Sequence, residues 1–179
     1  MTGYVWAANN ITATNRTATS VINMSLGGPF SSTFNALVKT AAAGGILTVV
    51  SAGNSGVDAS LQSPSSAPEA LTVGAVDVYN AKPAWSNWGE AVDVFAPGVD
   101  VLSAYSSGDT ATARANGTSM AAPHVAGLVL YFKSLEGGKR AVAGVEGVVG
   151  RIKGEATAGV LSGVGEGSPN LLAYNGNGA

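Results

Sequence analysis

Apolar positions in the first half of the chain switch between two rhythms. Positions 21–24, Val21-Ile22-Asn23-Met24, form a short strand-like run that the Gly27-Gly28-Pro29 turn closes. Phe34, Leu37, Val38, Ala41 and Ala42 then recur at helical spacing. They mark one face of a helix that Ser31 or Ser32 can cap and Gly44-Gly45 ends. Positions 46–51 follow as a continuous apolar run, the pattern of a strand buried on both faces. A strand, a helix and a second buried strand make a right-handed crossover unit. The pattern therefore predicts an α/β fold built on a parallel sheet.

Further strands are predicted at 71–76, 92–95 and 101–104, between loops containing Pro and Gly. From Ser119 onward, Met120, Ala121, Val125, Leu128, Val129 and Phe132 predict a helix that is apolar nearly all round and so buried in the core. A weaker helical pattern covers 141–156, and the tail runs through 169–174. Neither an internal repeat nor a domain boundary interrupts residues 1–179, which read as one unit.

Composition narrows the function classes. With 46% hydrophobic residues the chain can bury a single core, and 25 glycines favour tight turns and close backbone approach. A net charge of −2, with nine scattered Lys and Arg, supplies no basic stripe for phosphates, which argues against a nucleic-acid partner. The absence of cysteine excludes a disulfide scaffold, a thiolate metal site and a Cys nucleophile. The longest apolar run, 120–132, is broken by Pro123 and His124 and is too short to span a bilayer, so no membrane segment is expected. Residues 1–6 lack the basic start and apolar stretch of a signal peptide, placing any export signal upstream. Of the four Asn-x-Ser/Thr sequons, at Asn10, Asn15, Asn23 and Asn116, only the first two are expected to suit a glycan.

The strongest chemical signal is Gly117-Thr118-Ser119-Met120-Ala121-Ala122-Pro123-His124. It puts Ser119 at the start of the apolar helix, among unpaired N–H groups and the positive end of the helix dipole, which favour charge developing on a carbonyl oxygen. Pro123, lacking an N–H, is expected within the helix's first turn. By itself Ser119 reads as a helix cap. Asn54, in Gly53-Asn54-Ser55-Gly56 after a predicted strand, reads as an oxyanion donor or as a turn residue. Ser25, Leu26 and Gly27 offer a strand edge to an extended peptide, or form an ordinary strand-to-turn junction.

The eight-residue string resembles the nucleophile motif of the subtilisin-like serine proteases. Ser25-Leu26-Gly27 resembles that family's substrate-binding edge and Ser51-Ala52-Gly53-Asn54 its oxyanion-hole segment, in the same order and at similar spacing. Phe95-Ala96-Pro97-Gly98 and the tail Asn170-Leu171-Leu172-Ala173-Tyr174-Asn175 extend the likeness over nearly the whole chain. It leads towards the cysteine-free alkaline proteases secreted by filamentous fungi.

The resemblance implies a subtilisin-like parallel-sheet fold, present here only in its C-terminal part, and a serine endopeptidase acting on protein or peptide substrates. Ser119 would be the nucleophile. Asn54 and the Ser119 N–H would form the oxyanion hole, and Ser51, Ala52 and Gly53 one wall of a roomy apolar substrate pocket. No cofactor is required for that chemistry.

A structural calcium is implied on the Asp93 carboxylate and the carbonyls of Pro68 and Ala70, although Asp93 alone also reads as a solvated acid at a strand start. The triad's Asp and His belong to motifs preceding the substrate edge, and nothing before Val21 matches them. His124, the single histidine, lies five residues beyond Ser119, too far along a helix to take its proton. The chain is therefore expected to be nearly inert unless joined by an N-terminal segment, with a propeptide as a further partner. It would be secreted or, alternatively, vacuolar. The competing expectation is an inert secreted fragment acting as antigen or peptide-binding module.

Overall fold

The computed structural model describes residues 1–135 and 144–177. Its helices are α1 (Thr2–Ala13), α2 (Ser32–Ala43), α3 (Thr118–Leu135) and α4 (Gly144–Glu155). The strands are β1 (Ile22–Met24), β2 (Gly28–Pro29), β3 (Thr48–Ser51), β4 (Gln62–Ser63), β5 (Ala70–Val76), β6 (Val94–Pro97), β7 (Val101–Ala104), β8 (Thr112–Ala115), β9 (Thr157–Ala158) and β10 (Leu171–Leu172). Six strands make the main sheet in the order β1-β3-β5-β6-β10-β9, parallel throughout except for β9. The expected α/β class with a mostly parallel sheet is what the chain adopts.

Alternation along the central strands explains the layers. Leu47 and Val49, then Leu71, Val73 and Ala75, then Val94 and Ala96 point to one face, where α3 and α4 bring Ala121, Ala122, Val125, Val129, Phe132, Val148 and Ile152. Ile46, Val50 and Ala70 point to the other face, where α1 and α2 bring Tyr4, Ile11, Val38 and Ala41. Because both faces are covered, β3 and β5 are buried at every position. That burial is why they read as unbroken apolar runs. Gly74 has a packing reason, since a side chain there would collide with the Phe95 ring.

Local chemistry sets the element ends. The Ser31 hydroxyl accepts the Phe34 N–H at 3.2 Å, so Ser31 caps α2 and Ser32 is its first residue. The strand expected at 92–95 is shifted to β6, because the Val92 N–H closes a turn on the Gly89 carbonyl and pairing with β5 begins at Val94. Of the helix expected at 141–156, α4 supplies 144–155, while 141–143 lies outside the described residues. Pro123 is a correction. It is the sixth residue of α3, past the first turn, and the helix continues through it.

Candidate active site

In parallel α/β sheets the carboxyl ends of the strands open onto the loops that bind ligands. The pairing Met24↔Val50 leads directly into Ser25-Leu26-Gly27 on one strand end and Ser51-Ala52-Gly53 on its neighbour. Two of the segments singled out by sequence are therefore side by side. β1 is the outermost strand, and no described residue pairs with its free edge. Leu26 and Gly27 are exposed and Ser25 half-buried, while Ser51 and Ala52 are buried and Gly53 is half-buried.

The third segment arrives on the first turn of α3, which packs across β1, β3, β5 and β6. Ser119 is half-buried there, and its Oγ donates to the Ser25 carbonyl at 3.2 Å. Asn54 reaches the same turn. Its Oδ1 accepts both the Thr118 N–H and the Thr118 hydroxyl, each at 2.9 Å. A backbone N–H can only donate, so the atom it meets is the carbonyl oxygen and Nδ2 is turned the other way. Among the described residues, neither the Asn54 Nδ2 group nor the Ser119 N–H has a hydrogen-bond acceptor. A Cβ built on Gly117 would lie 3.5 Å from Asn54 Nδ2 and 3.6 Å from Ser119 N. The two free donors therefore border one small space, kept open by a glycine whose φ of 153° also disfavours a side chain. The arrangement can bind negative charge on an oxygen beside the Ser119 hydroxyl.

Two residues that sequence reasoning gave no role hold this geometry. Thr118, fully buried, accepts the Gly53 N–H at 3.1 Å and so ties the Asn54 loop to α3. Asn87, also fully buried, accepts the N–H groups of Ser55 and Val57 and donates to the Ala52 carbonyl and to Gln62 Oε1. All four of its bonds hold the loop or the adjoining Gln62. In sequence, Ser86-Asn87-Trp88-Gly89 looks like a turn, and only burial separates the two readings.

His124 is exposed, and its Nδ1 lies 2.8 Å from the Met120 carbonyl of its own helix. It serves α3 and not the Ser119 hydroxyl. Among the sequons, Asn23 donates to Ser25 Oγ and Asn116 accepts the Asp100 N–H, whereas Asn10 holds Arg16 and Asn15 stands exposed at φ 53°.

Asp93, Pro68 and Ala70 line one cavity of about 540 Å³ on the other side of the molecule, together with Glu69, Glu146 and Lys153. Burial pushes the Asp93 carboxyl above the usual carboxylate range, and its bonds to Lys153 and to the Thr72 N–H pull it only partly back. Lys153 Nζ sits 2.6 Å from Oδ1, and the Thr72 N–H donates to Oδ2 at 2.8 Å. The simple solvated-acid reading of Asp93 does not describe this environment. A hard cation here would have to displace the Lys153 ammonium from the Asp93 carboxylate. Among the described residues there is no cluster of three or more acidic or histidine side chains that would hold a metal by themselves.

The sequence matches the subtilase family over residues 1–161. This chain belongs to that family. It is 55% identical over 174 residues to alkaline protease 1 of Emericella nidulans, covering 97% of this chain and 42% of that protein. It is 54% identical to subtilisin-like proteinase Mp1 of Magnaporthiopsis poae, covering 97% of this chain and 43% of that protein. The solved structure of a cold-adapted subtilisin-like serine proteinase superposes with a TM-score of 0.81 at 32% identity, over 94% of this chain and 61% of the other. This subtilase chain thus spans under half the length of the curated relatives it matches. No described helix is long and apolar enough to cross a membrane.

Proposed function

We propose that this chain carries the nucleophile, the oxyanion hole and the substrate edge of a secreted serine endopeptidase of subtilisin type. The observation that carries the reading is the pair of unpartnered donors, Asn54 Nδ2 and the Ser119 N–H, bordering one space next to the Ser119 hydroxyl. An extended peptide lies along Ser25-Leu26-Gly27, with Ser51-Ala52-Gly53 as the facing wall. Ser119 Oγ attacks the carbonyl carbon, its proton passes to a base, and the new oxyanion accepts the two hydrogen bonds. Collapse expels the amine, which takes that proton, and leaves an ester on Ser119 that water hydrolyses. The chain's single histidine is bonded to the Met120 carbonyl, so the base and its orienting acid come from an N-terminal segment docking beside β1. Protein substrates and a propeptide are the partners this chemistry implies.

The test uses a hybrid in which this chain replaces the aligned stretch of the Emericella nidulans protein. A fluorophosphonate probe is expected to label the hybrid at Ser119, as read by peptide mass mapping. The 179-residue chain by itself is expected to label far more slowly and to turn over no chromogenic peptide. Modification of a different serine in the hybrid would overturn the assignment.

The same reading places a calcium ion on the Asp93 carboxylate and the carbonyls of Pro68 and Ala70, where it would stabilise the fold and take no part in the reaction. A ligand that binds only the folded state adds roughly 2.7 kcal/mol at a hundredfold excess over Kd. Calcium is therefore expected to raise the melting temperature of the hybrid. Lys153→Met, which removes the competing ammonium, is expected to enlarge that shift, and Asp93→Asn to remove most of it. Equal calcium shifts in wild type and Asp93→Asn would take Asp93 out of the site.

A further inference from the structure

Pro123 leaves the carbonyl four residues back without its usual helical donor. In α3 the N–H of residue 123 would bond to the carbonyl of Ser119, four residues back, but proline has none. A half-buried carbonyl without a donor is destabilising. Its partner comes from 94 residues away, where the Ser25 hydroxyl donates to the Ser119 carbonyl at 2.8 Å. Asn23 Nδ2 donates to that hydroxyl's oxygen at 3.1 Å, which leaves the Ser25 proton directed at Ser119. In the other direction, the Ser119 hydroxyl donates to the Ser25 carbonyl at 3.2 Å. Ser25 thus holds Ser119 at two atoms, from just beyond the end of the edge strand β1.

The geometry points to the Ser25 side chain as a positioning residue for Ser119. By supplying the donor that Pro123 lacks, it fixes the first turn of α3 against the β1 edge. Ser119 Oγ and N–H then keep their places relative to Asn54. This role is separate from the backbone of Ser25, to which the substrate edge belongs. Its kinetic consequence rests on the proposed reading of Ser119 as nucleophile, whereas its structural consequence does not.

A double-mutant cycle tests the inference. In the hybrid, Ser25→Ala is expected to lower kcat by about tenfold, the effect of one lost hydrogen bond to a partly buried group, with KM changed less than about twofold. Ser25→Thr, which keeps the hydroxyl, is expected to recover most of the loss. Pro123→Ala supplies an N–H to the Ser119 carbonyl within the helix, so in that background Ser25→Ala is expected to cost less than about threefold. The same cycle is read by thermal unfolding, where Ser25→Ala should lower the melting temperature less when residue 123 is alanine. A Ser25→Ala protein that fails to fold and is rescued by Pro123→Ala gives the same answer.

Equal losses in both backgrounds, or a loss confined to KM, would overturn the inference, as would failure of Pro123→Ala to rescue folding. Ser119→Ala separates this outcome from failure of the functional reading. If activity survives that substitution, the reading of Ser119 falls. If activity needs Ser119 but the cycle is additive, only the role of the Ser25 hydroxyl falls.

Discussion

Ser119→Ala in the hybrid with the Emericella nidulans protein is expected to lower kcat by about a millionfold, the loss measured on removing the nucleophile of subtilisin, itself a subtilase. The substitution removes one oxygen and the hydrogen bond to the Ser25 carbonyl, but leaves the backbone N–H of residue 119 and the Asn54 amide in place. Substrate binding should survive, so KM is expected to change little. A residual rate of about 10³- to 10⁴-fold over water is expected from the remaining donors and binding. Steady-state kinetics on a chromogenic peptide, with the unfolding midpoint measured alongside, gives the answer. A loss of less than about a hundredfold in a folded protein would show that another group attacks the substrate.

How much of the fold and of the candidate site is legible in sequence follows from the range of the interactions. The α2 helix, β3 and β5 declare themselves through periodicity, because burial on one face or on both imposes a pattern on neighbouring residues. By contrast, α1 announces itself weakly. It has no side-chain cap, its Trp6 is exposed, and its core contacts rest on Tyr4, Ala8 and Ile11 alone. Those three stand at i, i+4 and i+7, the signal that could have found it. β8, Thr112–Ala115, alternates polar residues only with small alanines over four positions, a faint signal that matches its place in a largely exposed hairpin with β7.

Side-chain partners far apart in the chain left no local trace. The Asp93–Lys153 ion pair joins a strand start to a helix that lies after the motif. Asn87 was invisible as the anchor of the Asn54 loop, since its four partners lie 25 to 35 residues away. The position of Pro123 has a related cause. Taken locally, proline inside a helix destabilises and belongs in the first turn. The Ser25 hydroxyl, just past β1, donates to the carbonyl that Pro123 leaves without its helical donor, and nothing near Pro123 in sequence announces it.

Asn54→Ala in the same hybrid is expected to lower kcat by a hundred- to a thousandfold, with KM nearly unchanged; the magnitude is that of the corresponding donor in subtilisin. The structure separates two functions of this side chain. Oδ1 accepts two bonds from Thr118 and so positions the loop, while Nδ2 faces the space beside Gly117. Alanine removes both, so a loss in kcat alone would not say which matters. Asn54→Asp distinguishes them. The carboxylate keeps an acceptor for Thr118 but places a second acceptor, with negative charge, where the oxyanion would form. It is therefore expected to be at least as damaging to kcat as alanine, while keeping more of the wild-type melting temperature. An Asn54→Asp protein with near wild-type kcat would remove the side-chain donor from the mechanism. If kcat instead tracked melting temperature across both variants, Asn54 would be a loop anchor like Asn87.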